Sequence, residues 1–151
     1  KAIRFSNTSG NIKRLIVNNS SSDAVSAEIS NLKIFETIIK NAGDDCLDFE
    51  TGNYIFNSLE LDGCIDKAFQ IKRKSNVKVK KIKISNSEYG FSVLDSSLLK
   101  IDLSNIDTIK ECLIVYREND GYYGSLAKVT HNFKCNKSKF FQDNSSQIIN
   151  K

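Results

Sequence analysis

A spacing of 22 residues limits how this chain can fold more than any other feature. Ala2, Ala24, Cys46, Ala68, Gly90 and Cys112 follow one another at that interval, and all are small. The next residue is always apolar: Ile3, Val25, Leu47, Phe69, Phe91 and Leu113. Two positions further on the column reads Phe5, Ala27, Phe49, Ile71, Val93 and Val115. Self-similarity at a fixed period is the signature of a solenoid, in which each repeat stacks on the last.

Each repeat carries two further short segments in which apolar residues alternate with polar ones. One holds Ile12, then Leu32 and Ile34, Tyr54 and Phe56, Val77 and Val79, Leu99 and Ile101. The other holds Leu15 and Val17, Thr37 and Ile39, Leu59 and Leu61, Ile82 and Ile84, then Ser104 and Ile106. A period of two is a strand signal, and no stretch sustains the 3.6-residue period of a helix. The pattern predicts an all-β chain: a right-handed, single-stranded parallel β-helix of about six rungs over residues 1–130, with 131–151 as a C-terminal capping segment or tail. Asn19, Asn41 and Asn86 recur after the third strand, where stacked amides can satisfy turn backbone.

Composition narrows the rest. The chain has no Pro, Met or Trp. It begins at Lys1, which points to an upstream part of a longer protein, or to end-to-end packing of the open first rung with an upstream domain or partner chain. No apolar run is long enough for a transmembrane helix. A net charge of +4 is too mild for a nucleic-acid partner. None of the four cysteines has CxxC spacing, so zinc is not expected. Cys46 and Cys112 sit in the small-residue column and read as packed thiols rather than as a disulfide framework.

The turns flanking the first strand should line one long face. The column before the small residue reads Asp23, Asp45, Lys67, Tyr89 and Glu111, and the one before that Ser22, Asp44, Asp66, Glu88 and Lys110. Outward positions on the strand are Arg4, Ser26, Asp48, Gln70, Ser92 and Ile114. Asp44, Asp45, Asp48, Asp66 and Lys67 therefore crowd onto one patch, with Glu50 and Lys72 at its flank. Carboxylates this close need a cation or a shared proton. Three uses follow. Lys67 pairs with Asp45 as a structural ladder; Asp44, Asp48 and Asp66 hold Ca²⁺; or Asp45, Lys67 and Asp44 perform catalysis on a glycan. On a binding reading, Asp48, Gln70, Lys72, Arg4 and Tyr116 contact the ligand.

Two further features stand out. Lys72, Arg73, Lys74, Lys78, Lys80, Lys81 and Lys83 form a basic run whose alternation aims several ammonium groups outward, toward solvent or an anionic glycan or lipid headgroup. Tyr122 and Tyr123 lie beside Gly121 and Gly124 in a polar loop, which suits sugar stacking or simple packing. The lone His131 has no nucleophile placed near it by the lattice, so no catalytic triad is supported.

Asp44-Asp45-Cys46-Leu47-Asp48-Phe49 resembles the Asp-Asp-Cys strand entry of polygalacturonase-type glycoside hydrolases, which share the pectate-lyase-like β-helix. That resemblance implies an acid and base at the Asp pair. One rung later the family has Gly-His-Gly where this chain has Asp66-Lys67-Ala68, and the family's Arg-x-Lys signature is missing. A longer stretch, roughly residues 40–124, is similar to β-helix segments accompanying CotH-like (spore-coat kinase-like) bacterial proteins. The matching residues include Asp45-Cys46-Leu47-Asp48-Phe49, Gly52, Tyr54, Asp66-Lys67-Ala68, Lys74-Ser75, Asp95-Ser96-Ser97, Cys112, Tyr116 and Gly124. It implies a bacterial cell-surface or extracellular setting and no established activity for the β-helix itself. Together these readings predict a non-catalytic module that binds glycan or protein along one face or acts as a spacer. The alternative is a lyase, epimerase or hydrolase acting on acidic polysaccharide, with no cofactor except Ca²⁺.

Overall fold

The structure is a computed structural model and describes residues 1–137 and 140–151. Every regular element among them is a strand: β1 (Ile3–Ser6), β2 (Ser9–Ser20), β3 (Val25–Ala42), β4 (Leu47–Cys64), β5 (Lys67–Lys72), β6 (Asn76–Ser87), β7 (Tyr89–Leu94), β8 (Leu98–Thr108), β9 (Leu113–Tyr116), β10 (Leu126–Val129), β11 (Phe133–Cys135), β12 (Phe141–Gln142) and β13 (Gln147–Asn150). All pairings are parallel. Val25 pairs with Leu47, Leu47 with Phe69, Phe69 with Phe91 and Phe91 with Leu113, so residues 22 apart do lie over one another. The result is a parallel β-solenoid of about seven turns.

The extra turn beyond the expected six comes from the C-terminal segment. After the loop at 117–124, β10 pairs with β8, and β13 in turn pairs with β10; β11 joins β8 and β12 joins β9. Residues 133–150 thus add strands in the same sense as the rungs. Ser138 and Lys139 of this segment lie outside the described residues.

Alternation places one set of side chains inside every rung. Val25, Ile34, Ile39, Leu47, Leu61 and Ile71 are fully buried. Phe49, Tyr54, Phe56, Phe69 and Phe91 form a continuous aromatic stack, with ring centroids 4.7–5.9 Å apart. Tyr54 brings a hydroxyl into this core and gives it to the Glu50 carbonyl at 2.9 Å. One rung earlier, Ser30 Oγ makes the equivalent bond to the Glu28 carbonyl at 2.8 Å. Gly52 occupies the serine's place, and a Cβ there would lie 2.8 Å from the Tyr54 oxygen and 2.0 Å from the Ser30 carbonyl. A glycine and a tyrosine together replace one serine of the stack. Further on, Ser75, Ser97 and Ser125 give backbone N–H groups to Ser97, Ser125 and Ser146 Oγ at 3.0–3.2 Å.

The corners are as periodic as the strands. Asn7, Ile29, Thr51, Arg73 and Asp95 all have positive φ, and so do Asn19, Asn41, Gly63 and Asn86 at the other corner. The Asn column expected from sequence is therefore a left-handed corner, with Asn41 Nδ2 donating to Asn19 Oδ1 at 3.0 Å. A second amide ladder, Asn31–Asn53–Asn76, has bonds of 2.8 and 3.4 Å and starts the second sheet.

The reading of the cysteines as packed thiols is corrected. Cys46 is bonded to Cys64, and Cys112 to Cys135. Each pair joins the start of one rung to its end: 18 residues separate the first pair and 23 the second, close to one full period. The coil itself brings the two thiols of each rung together, with no short motif needed.

Two outcomes follow. Ile29 is β-branched, exposed and held at φ 47°, a backbone region costly for such a side chain. Ile29→Asn should raise stability by about 1 kcal/mol in urea unfolding. Replacing Cys46 and Cys64 together with Ala should cost about 3 kcal/mol, the loop-closure value for a ring of this size. An unchanged denaturation midpoint would contradict the respective account.

Candidate functional site

The first sheet contains β1, β5, β7, β9, β12 and the leading residues of β3 and β4. Between consecutive rungs, the turn that enters it is tied by Ala2, Ala24 and Cys46 N–H groups donating to the carbonyls of Asp23, Asp45 and Lys67 at 3.0–3.2 Å. These bonds fix the column Asp23–Asp45–Lys67, and Lys67 pairs onward with Tyr89. The neighbouring turn residues Asp44 and Asp66 are linked by Asp66 N–H donating to the Asp44 carbonyl at 3.3 Å.

Asp44, Asp45 and Asp66 come together, each offering a carboxylate oxygen within 4.8 Å of the others. Lys67 lies among them. Its ammonium contacts Asp66 and stands 3.8 Å from Asp45 Oδ1. Asp45 is buried, and both its oxygens are engaged: Oδ1 accepts the Lys67 N–H at 2.9 Å and Oδ2 accepts from Gln70 Nε2 at 2.5 Å. Burial pushes the Asp45 carboxyl up to about 6, against the pull of Lys67 and Gln70. Asp44 is also held above its usual value, by partial desolvation and by the charges of Asp23 and Asp66. Burial alone would lower the Lys67 ammonium, but its bond to Asp66 and the charge of Asp45 outweigh this and hold it above an ordinary lysine. Lys67 is therefore a cation at neutral pH and a poor proton acceptor.

The other expected residues fall nearby in separate pairs. Asp48 lies outside the carboxylate trio and pairs with Lys72 at 2.8 Å, while Lys1 approaches it at 3.8 Å. Arg4 pairs with Glu28 instead of reaching the patch. Gln70 sits one rung after Asp48 in the outward column and bridges back to Asp45. Tyr116 is half-buried, and burial raises its hydroxyl. With Tyr89, Glu111, Ile114 and Phe141 it lines an open hollow of about 410 Å³ farther along the same sheet.

Tyr89 and Phe141 were not singled out from the sequence as site residues. The lattice did carry a signal for Tyr89, since it follows Lys67 in one column. Phe141 had none, because the loop at 117–124 displaces its register. That loop is itself pinned: Asp95 Oδ1 accepts the N–H groups of Glu118 and Asn119 at 2.9 and 3.0 Å, and Tyr123 N–H donates to Ser96 Oγ at 2.7 Å. Tyr122 lies under Lys74, and Tyr123 is open to solvent.

Comparisons with protein-family models, curated proteins and solved structures give no significant match.

Asp45 makes a specific pH prediction. Its carboxyl ionises near 3.8 when unfolded and near 6 when folded, so the folded state binds the extra proton between those values. Stability is highest below the unfolded value and falls as pH rises through that window, by about 3 kcal/mol if no other group titrates. Asp45→Asn should remove this fall from a pH series of urea titrations, and Lys67→Ala should steepen it. A slope unchanged by Asp45→Asn would show that the group is not ionising as described.

Proposed function

We propose that this chain is a non-catalytic β-solenoid module of a bacterial cell-surface or extracellular protein, and that it binds a glycan along the outer surface of its first sheet. The observation that carries this reading is Lys67, which occupies the centre of the acidic patch as a resident cation. A calcium ion needs six to eight oxygen ligands. Here Lys67 already engages two of the three carboxylates, Asp45 and Asp66, and both Asp45 oxygens accept hydrogen bonds from within the chain. The donor set fits Lys67 better than a metal.

The same contacts weigh against the alternative, an enzyme on acidic polysaccharide. One observation favours that alternative: a carboxyl ionising near 6 lies in the range of a general acid. Asp45 is nevertheless turned inward and bonded to its own neighbours, and Lys67 is too strongly protonated to take an α-proton. What remains accessible is recognition chemistry. Gln70, Asp48 and Lys72 offer polar groups, and Tyr89, Tyr116 and Phe141 offer ring faces on which a pyranose can stack. Two disulfides add support for an oxidising, extracytoplasmic setting.

Calorimetric titration with oligosaccharide fragments of cell-surface and plant polysaccharides tests this. Binding without turnover is expected, weakened about tenfold or more by Tyr116→Ala. Ca²⁺ should not raise the melting temperature. Formation of unsaturated uronate or new reducing ends, with or without Ca²⁺, would overturn the reading.

A further inference from the structure

The second sheet carries a different surface. Its outward column runs Lys33, Ile55, Lys78, Lys100 and Lys128, each paired through backbone with the next across successive rungs. All four lysines are exposed. The basic run seen in the sequence separates here into two groups. Lys72 and Arg73 turn to the first sheet and its edge, where they pair with Asp48 and Glu50. Lys78, Lys80, Lys81 and Lys83 belong to β6 and, among the described residues, make no ion pair; nor do Lys100 and Lys128.

This departs from the rule followed elsewhere in the molecule, where Arg4–Glu28, Arg14–Glu36, Arg73–Glu50 and Lys110–Glu88 each place a cation against an anion of the adjacent rung. Lys78, Lys100 and Lys128 instead stack like on like, at the spacing of neighbouring strands, about 4.8 Å. Two of them, with Lys80, Ile55 and Asp102, border a shallow hollow of about 230 Å³. A line of unneutralised charge on a rigid, flat sheet raises the local concentration of any ligand with a matching line of opposite charge.

We propose that the Lys78–Lys100–Lys128 column is a second binding surface, distinct from the first sheet, which takes a linear polyanionic glycan lying parallel to the solenoid axis. Three observations select this occupant. The charges form a single file over three rungs, which suits an extended chain better than a compact anion. Ile55 within the column and Phe35 beside it are both exposed, and the Lys33 ammonium stands 5.0 Å from the Phe35 ring centroid; two side chains flanked by lysines supply far less apolar area than a bilayer-inserting face needs. The disulfides favour a compartment whose polyanions are carbohydrate rather than nucleic acid.

The test uses the full chain, with polygalacturonate and heparin fragments as polyanions, dextran as the uncharged control, and phosphatidylserine vesicles and duplex DNA as competing occupants. The wild type should bind the polyanionic glycans with an affinity that falls steeply with salt, and should not bind dextran. The triple variant Lys78→Gln, Lys100→Gln, Lys128→Gln should lose about tenfold or more in affinity and show a shallower salt dependence. A charge-matched variant, Lys13→Gln, Lys40→Gln, Lys134→Gln, should lose much less. Both sets are surface positions, and equal melting temperatures will show that both variants fold. Equal losses in the two variants, no loss in the column variant, or tighter binding to vesicles or DNA than to either glycan would overturn the proposal. Tyr116→Ala should leave this binding intact, so failure here and failure of the first-sheet reading are separable.

Discussion

The parallel backbone ladder between successive rungs is the interaction on which everything else rests. Because each strand lies in register on its equivalent, every side chain has its counterpart from the next turn as its nearest lateral neighbour. The small residues at Ala24, Cys46 and Ala68, the amide ladder at Asn31 and Asn53, and the serine stack are consequences of that one constraint. It is strong enough to hold Ile29 and Thr51 in left-handed backbone, at φ 47° and 46°, where β-branched residues are rarely found. The neighbouring rungs determine the corner, and the local preference yields.

The same constraint arranges charge. A residue on a solenoid face meets the same column one turn above and below, so opposite charges must alternate between rungs or sit diagonally if they are to cancel. On the first sheet they do: Lys67, Lys72 and Arg73 each find carboxylates of the same or preceding rung. On the second sheet they do not. One surface is internally neutralised and offers amides and aromatic rings, while the other is an open line of ammonium groups. A single scaffold thus presents two chemically different faces, and neither needs a deep pocket.

Much of this was legible in the sequence, and the reason is periodicity. The three apolar columns, the first-sheet registers from Ile3 to Val115 and the meeting of Asp45 with Lys67 all follow from counting in steps of 22. What escaped was whatever the step does not encode. The disulfides were missed because Cys46 and Cys64 look distant until the rung is closed, when the first and last residues of one turn become neighbours. The C-terminal strands were missed because the loop at 117–124 interrupts the count, so Phe141 and Gln147 fall out of phase although their backbone pairs normally. The exchange of a serine for Gly52 and the Tyr54 hydroxyl lay beyond reach as well, since it involves two positions that are not adjacent. The lysine column was partly hidden: aligning Val77 with Leu99 already stacks Lys78 on Lys100, but the loop at 117–124 puts Lys128 out of step.

The central claim is the parallel register itself, and NMR measures it directly. Inter-strand nuclear Overhauser contacts between the α-proton of one residue and amide protons near its partner should link Leu47 to the Phe69 region, and Phe69 to the Phe91 region, in the evenly spaced pattern of parallel strands. Close pairs of α-protons across strands, the mark of antiparallel pairing, or an absence of contacts between these segments would contradict the account.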